Sequence, residues 1–318
     1  MYEMIMIQTV YLPGILCKMT GDGSRPGKEN LMKAVFTLTS AESRRLIAKA
    51  VVGMPEVKEA LDKAYLLLAG GTTNAFIAQE LLHDRSIEPG LCTAGISCDG
   101  LLCVTAPSSR NSYPNVFFKG EAQPEKTLTE AMNDFHPETV VIKGANAVDP
   151  QGYVGVITAG FDGGTIPRII GTTTSKGLLM ITPVGLEKLV PSVRDAAAAL
   201  GGATHIQYSL GADCGMYCLG NTRVVTELEA IRMLFDCEAR LVCCGGVGGN
   251  EGAVTLAVDG EKDKLEAMIN FLETEVKGEP PVKGNKGVCE TCRYRFCRYY
   301  QTKAEDLPAW MKKKGITK

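Results

Sequence analysis

The chain has 318 residues, 45% of them hydrophobic and 22% charged, with a net charge of −2. That size and balance suit one large or two compact domains with a full core, and the near-neutral charge excludes nucleic acid or an anionic membrane as the main electrostatic partner. No uncharged apolar run approaches the ~20 residues of a membrane helix, and Glu3 stands in the opening MYEMIMIQTVYLP where a secretory signal carries basic residues, so a cytoplasmic protein is expected.

Residues 1–38 hold two β-like runs, MIMIQTVYL and AVFTLT, around the loop GDGSRPGKEN. Thr39 with Glu42 three positions on is a capping-box pattern for the amphipathic helix AESRRLIAKAVVG. Gly53 and Pro55 break it, and PEVKEALDKA begins another. An apolar run, LLLA, then stops at Gly70-Gly71 and resumes as a helix through Thr72, Thr73 and Asn74. TAGISCDGLLCVTA reads as extended, PEKTLTEAMNDF as helical and ETVVIKGA as a buried strand. GTIPRIIGTTTSKG is helix-like, LLMITPV a strand and VPSVRDAAAAL a helix. Apolar strands alternating with helices predict an α/β fold with a parallel sheet covered on both faces, its post-strand loops along one edge. After about residue 203 the order changes: ATHIQYSL, VTELEAIRMLFD, ARLVCCGG, AVTLAVDG and KDKLEAMINFLETEV read as β, α, β, β, α. This order suits a small α+β, ferredoxin-like unit. The expected organisation is an N-terminal β-rich segment (1–38), an α/β domain (39–202), the small α+β domain (203–280), and a linker with a cysteine-rich tail (281–318).

Gly70, Gly71, Thr72 and Thr73 form the first candidate site. Free N–H groups at a helix start favour phosphate or carboxylate, glycine lets a ligand approach the backbone, and threonine adds hydroxyl donors. The stretch is neither a Walker loop nor a dinucleotide fingerprint. Its plainer reading is a tight turn capped by Thr72 or Thr73. The second candidate lies in VVIKGANAVDPQGYVGVITAGFDGGT. Lys143, Asn146 and Asp149 follow a buried strand, and Asp162, Gly163, Gly164 and Thr165 form a second glycine turn. Polar groups past the carboxyl end of a parallel strand stand where open α/β sheets place their sites. The competing reading has Asp149 as a turn residue before Pro150 and Lys143 as a solvated charge. Glu187 and Lys188, in PVGLEK, fall at the same predicted edge and suit a helix start or a replacement acid.

Together AGGTTNAFIAQEL, VVIKGANAVDPQG and GTIPRIIGTTTSKGLLMITPV resemble the superfamily of ribose-5-phosphate isomerases, methylthioribose-phosphate isomerases with their initiation-factor-2B-like relatives, glucosamine-phosphate deaminases and CoA transferases, over roughly residues 40–280. The resemblance implies a Rossmann-like parallel sheet with a small ferredoxin-like domain and an anion cradle at Gly70–Thr73. It implies an isomerase- or lyase-type enzyme for a small phosphorylated or carboxylated metabolite; the polar groups of the second candidate, Asn146, Asp149, Asp162 and Lys143, are expected near the reacting carbons from their place after the strand. The chain departs from the isomerases where their Gly-Ala is followed by an acid: Asn146 stands there, and an amide is no carboxylate base. That substitution keeps a non-catalytic metabolite or redox sensor open. A CoA transferase would need a nucleophilic glutamate, for which Glu251 in GGVGGNEGAVT is the candidate, although the turn equally fits a hairpin.

Twelve cysteines in a chain expected in the cytosol argue against a disulfide framework. Cys103, Cys243 and Cys244 suit buried apolar positions. In GVCETCRYRFCRYY, Cys289 and Cys292 have Cys-x2-Cys spacing and Cys297 follows, which suits a 4Fe-4S cluster or zinc. A fourth ligand is sought first at Cys214 or Cys218, with Cys17, Cys92 and Cys98 as further choices. A redox-active pair or plain reduced thiols are the alternatives. His83, His136 and His205 have no partner at ligand or catalytic spacing. The expected partner is a small anionic metabolite, with neither nucleic acid nor membrane, and a homo-oligomer remains open.

Overall fold

The computed structural model describes residues 31–313 apart from 111 and 161. The early run MIMIQTVYL and Cys17 lie outside the described residues. In chain order the elements are β1 (Leu31–Leu38), α1 (Ser40–Gly53), α2 (Pro55–Lys63), β2 (Tyr65–Leu68), α3 (Thr72–Leu82), β3 (Gly95–Cys98), β4 (Leu101–Val104), β5 (Val116–Phe118), β6 (Glu121–Ala122) and α4 (Leu128–Asn133). There follow β7 (Val140–Ile142), β8 (Ala147–Val148), β9 (Val154–Thr158), α5 (Ile166–Lys176), β10 (Leu179–Pro183), α6 (Val193–Leu200), β11 (Gly215–Leu219) and β12 (Arg223–Val225). The last are α7 (Glu227–Phe235), β13 (Glu238–Cys244), β14 (Val254–Glu261), α8 (Lys262–Phe271) and α9 (Ala309–Lys313).

The result is a mixed α/β fold. Its main sheet runs β12-β10-β7-β2-β5-β6, parallel from β12 to β2 and antiparallel at the β5-β6 edge. The central strands are apolar at every position because both faces are covered. Leu66, Leu68, Val140 and Ile142 enter one core with α1, α2 and α3, while Leu67, Val141 and Met180 enter the other with α5. β8, β9 and β11 form a separate antiparallel sheet, and β3 and β4 a hairpin whose turn uses Asp99 and Gly100 at positive φ.

Thr39 and Glu42 exchange the two bonds of a capping box at the start of α1. β1 does not stand apart as an N-terminal segment. It pairs antiparallel with β14 over eight positions, and β14 pairs with β13. This three-stranded sheet carries α7 and α8, and its apolar face joins the same core as α1 and α3. ATHIQYSL is not a strand: a short 3-10 turn spans Ala203–His205, and the nearby strands are β11 and β12. Its β-branched and aromatic residues have no continuous neighbour to pair with, and Tyr208 is 88% exposed. No helix among the described residues is long and apolar enough to cross a membrane.

Candidate active site

The parallel strands β2, β7, β10 and β12 end side by side at Leu68, Ile142, Pro183 and Val225. Asn74, fully buried in the first turn of α3, ties two of these ends together. Its Nδ2 donates to the carbonyls of Ala69 (2.7 Å) and Ile142 (3.2 Å). Its Oδ1 is buried without a hydrogen-bond partner and faces Gly144, 3.7 Å from where a Cβ would stand. A bare buried amide oxygen is costly, so this corner of the sheet edge holds an unspent acceptor.

The turn before α3 differs from the sequence expectation. Gly71, not Thr72 or Thr73, is the N-cap, and no side chain bonds the helix start. Gly71 has φ +155° and donates its own N–H to Cys92 O at 2.9 Å. The first N–H groups of α3 therefore remain for an anion, as such termini allow.

Past β7, the Lys143 ammonium lies among densely packed atoms and donates to Gly144 O at 3.0 Å. Burial lowers its pKa to about 8. Lys143 is half-buried rather than the fully solvated charge of the competing reading. Past β10, a single 3-10 turn over Leu186–Lys188 replaces the expected helix start. It turns Lys188 inward to donate to Ala145 O at 3.1 Å. Burial, then the charges of Arg44 and Lys143, pull Lys188 down to about 8, against the opposing pull of Glu187 and Glu227. A lysine beside another cation and out of water loses its proton more readily.

Two carboxylates complete the corner. Glu227, the first residue of α7, is 0% exposed, and its oxygens accept from Leu186 N at 2.9 and 3.3 Å. Burial raises its pKa, and that backbone bond works against the rise. Glu187 binds Arg44 Nη2 at 2.7 Å and Ser40 Oγ at 2.5 Å. The β13–β14 hairpin folds down onto it: a Cβ on Gly252, at φ +77°, would stand 2.6 Å from Glu187 Oε2. The site is thus closed by α1 on one side and the hairpin on the other. Two shallow surface grooves, one including Gln123 and Lys126 and the other Met32 and Lys262, are lined by none of these residues.

The remaining expected residues separate from this corner. Asp149 is a buried structural group: Oδ1 accepts from Gln151 N (3.0 Å) and Tyr153 N (2.9 Å), and Oδ2 from Val193 N (2.9 Å). Asn146 is exposed and its Oδ1 accepts from Ile157 N at 2.9 Å, bracing β8 against β9. Asp162 lies after β9, outside the main sheet. It is exposed, binds Arg168 at 2.6 Å and accepts from Gly164 N at 3.0 Å. Gly163, Gly164 and Thr165 lead from there into α5, with both glycines at positive φ. Glu251 is at the exposed hairpin tip, its Oε2 taking Gly249 N at 3.0 Å. Glu227 and Asn74 escaped the sequence reading as site residues, although Glu227 stands two residues past the end of β12 and Asn74 follows the glycine–threonine turn after β2.

Cys218 is on β11, paired with Gly155 and near Arg194 and Asp149; Cys214 is buried beside Asp213. Among the described residues, no three His, Cys, Asp or Glu side chains already stand at coordinating distance of one point. Compared with family models, with curated proteins and with solved structures, the chain matches none.

Proposed function

We propose that the chain is an enzyme that holds a small phosphorylated or carboxylated metabolite at this sheet edge and moves a proton next to its carbonyl, in an isomerase or lyase reaction. One observation carries the reading: Lys143 and Lys188, both near pKa 8, are electrostatic neighbours beside the buried Glu227 and the half-buried Glu187. Amines held near pKa 8 by burial are partly neutral close to neutral pH. The neutral one accepts a proton from carbon, and the charged one steadies the developing oxyanion. Glu227 holds the 3-10 turn that aims Lys188, while Glu187 anchors Arg44. The free N–H groups of α3 suit the substrate's anionic end. The arrangement of β2, β7, β10 and β12 is compatible with a Rossmann-like sheet of the ribose-phosphate-isomerase type, with β1, β13 and β14 in the role of the small domain. A lysine pair then replaces the acid missing at Asn146.

The test is deuterium exchange. The protein is incubated in D2O with ribose 5-phosphate, methylthioribose 1-phosphate and glucosamine 6-phosphate, and proton NMR follows the hydrogen on C2 of each. The expected result is exchange on one of them, reduced at least ~100-fold in Lys143→Met and Lys188→Met, as loss of an acid–base group predicts. Absence of exchange on all three, with no thermal stabilisation by them or by inorganic phosphate, would refute the reading. Thermal stabilisation without exchange would favour a sensor.

A further inference from the structure

Cys103 occupies β4 between Leu102 and Val104, and the cysteine-rich tail meets the strand directly on the Val104 side and through residues 211–213 on the Leu102 side. Before the tail's first cysteine, Gly287 N donates to Val104 O at 2.9 Å. After its last, Cys297 bridges Ala212, whose N–H donates to Leu102 O at 2.7 Å, and Asp213 N donates to Phe296 O at 2.8 Å. The loop 288–296 is therefore pinned at both ends beside Cys103. The contact at Gly211 demands glycine, since a Cβ there, at φ +119°, would stand 2.2 Å from Leu102 O; one on Gly287 would be a tight 3.2 Å from Val104 O.

Backbone bonds shape the turn and fix two of the tail thiols. Cys292 N donates to Cys289 O at 3.1 Å, closing a turn around the Cys-x2-Cys pair. Cys292 Sγ accepts from Tyr294 N, and Cys297 Sγ from Tyr299 N, each at 3.4 Å. Such N–H···S bonds stabilise a thiolate and fix its direction. The tail thiols and Cys103 are also electrostatic neighbours. After burial, the influences on Cys297 include Cys103, Cys292 and Cys289, and those on Cys103 include Cys289 and Cys292. Lys286 acts on Cys103, and Arg293, Arg295 and Arg298 share the tail, so cations are at hand to offset thiolate charge.

We propose that Cys103, Cys289, Cys292 and Cys297 form one four-thiolate site for a thiophilic metal centre, zinc or an iron–sulfur cluster. Cys103 takes the place expected for Cys214 or Cys218. On zinc binding, four S–H bonds break, four Zn–S bonds form, and the protons pass to solvent; a preformed cluster is bound by the same four thiolates. Loading draws the sulfurs the last step together, to bonds of ~2.3 Å for zinc. The centre then locks the tail to the β3–β4 hairpin and to the loop before β11. Cys98 neighbours Cys103 across the hairpin and is the natural control.

The experiment uses the full chain, purified without oxygen and with a thiol reductant. Zinc, iron and acid-labile sulfide are measured per chain in wild type and in Cys103→Ser, Cys98→Ser, Cys214→Ser and Cys218→Ser. Zinc alone identifies a structural ion; iron with matching sulfide identifies a cluster. The expected result is one centre per wild-type chain, lost at least ~10-fold in Cys103→Ser and kept in the other three. Iodoacetamide labelling of wild type, mapped by mass spectrometry with and without chelator, covers the case in which Cys103→Ser fails to fold. Cys103, Cys289, Cys292 and Cys297 should become reactive together only when metal is removed. No bound metal even with excess Zn2+, a full centre in folded Cys103→Ser, or Cys103 labelling unaffected by chelator would each overturn the proposal.

Discussion

Lys143→Met tests whether the candidate site is built at a cost to the fold. The ordinary lysine value of 10.5 and the buried value of about 8 differ by about two to three pH units, or roughly 3 kcal/mol. Methionine keeps most of the stem and removes the charge, giving up the bond to Gly144 O, about 1 kcal/mol net. The variant should therefore be about 2 kcal/mol more stable than wild type at pH 7. Its pH dependence has a fixed sign. Below pH 8 the lysine is protonated in both states and the penalty is whole. Between about 8 and 10.5 the unfolded chain holds a proton the folded one has lost, so wild-type stability rises with pH. Above 10.5 the penalty is gone. Urea unfolding with reductant at pH 7, 8, 9 and 10 would show the variant's advantage shrinking from pH 8 upward. An m-value unchanged from wild type would tie the difference to stability rather than compactness. A variant less stable at pH 7, with a deficit independent of pH, would refute the claim of a desolvated ammonium. Because Lys143 is one of the charges lowering Lys188, the variant should also move Lys188 back towards its ordinary value.

Three further outcomes follow from single contacts. Gly252→Ala puts a Cβ at positive φ against Glu187, and should cost roughly 1–3 kcal/mol, read as a lower thermal midpoint; an unchanged midpoint would mean the hairpin does not rest on the site. Glu279→Ala strips one carboxylate from the wholly buried Arg45, which Glu279 binds at 2.8 and 3.0 Å and Glu80 at 2.6 Å; a loss of about 3 kcal/mol in urea is expected. Asp149→Asn turns an amide N–H towards one of three backbone donors, and should cost about 1–3 kcal/mol while leaving deuterium exchange per folded molecule unchanged. Lost exchange in a stably folded Asp149→Asn would return that residue to the chemistry.

What the sequence reveals here follows the range of the interactions. The capping box at Thr39 and the apolar strands β2, β7 and β10 are local, and each is legible as written, whereas the Asp99-Gly100 turn falls inside a stretch that reads as continuously extended. The partner of β1 is not, because Leu31 pairs with Glu261 and nothing near either strand names the other. Lys143 and Lys188 read as ordinary charges in a loop until the sheet sets their ammonium groups together. Asp149 attracts attention as an acid at a strand end, yet all its acceptor capacity serves nearby backbone. Cys103 looks like a core thiol because its neighbours in the chain are apolar; its candidate companions lie almost two hundred positions away.

The pairing of β1 with β14 also has a consequence during synthesis. At ~5–20 residues per second, roughly 10–45 s pass between the emergence of Leu38 and that of the strand that covers it. Throughout that wait Leu38, and the half-buried Ala34 and Phe36 on the same strand, have no sheet to enter. A nascent chain of this protein is thus expected to lean on chaperones early, and to be most prone to aggregate when translation stalls after the first parallel strands and before residue 254.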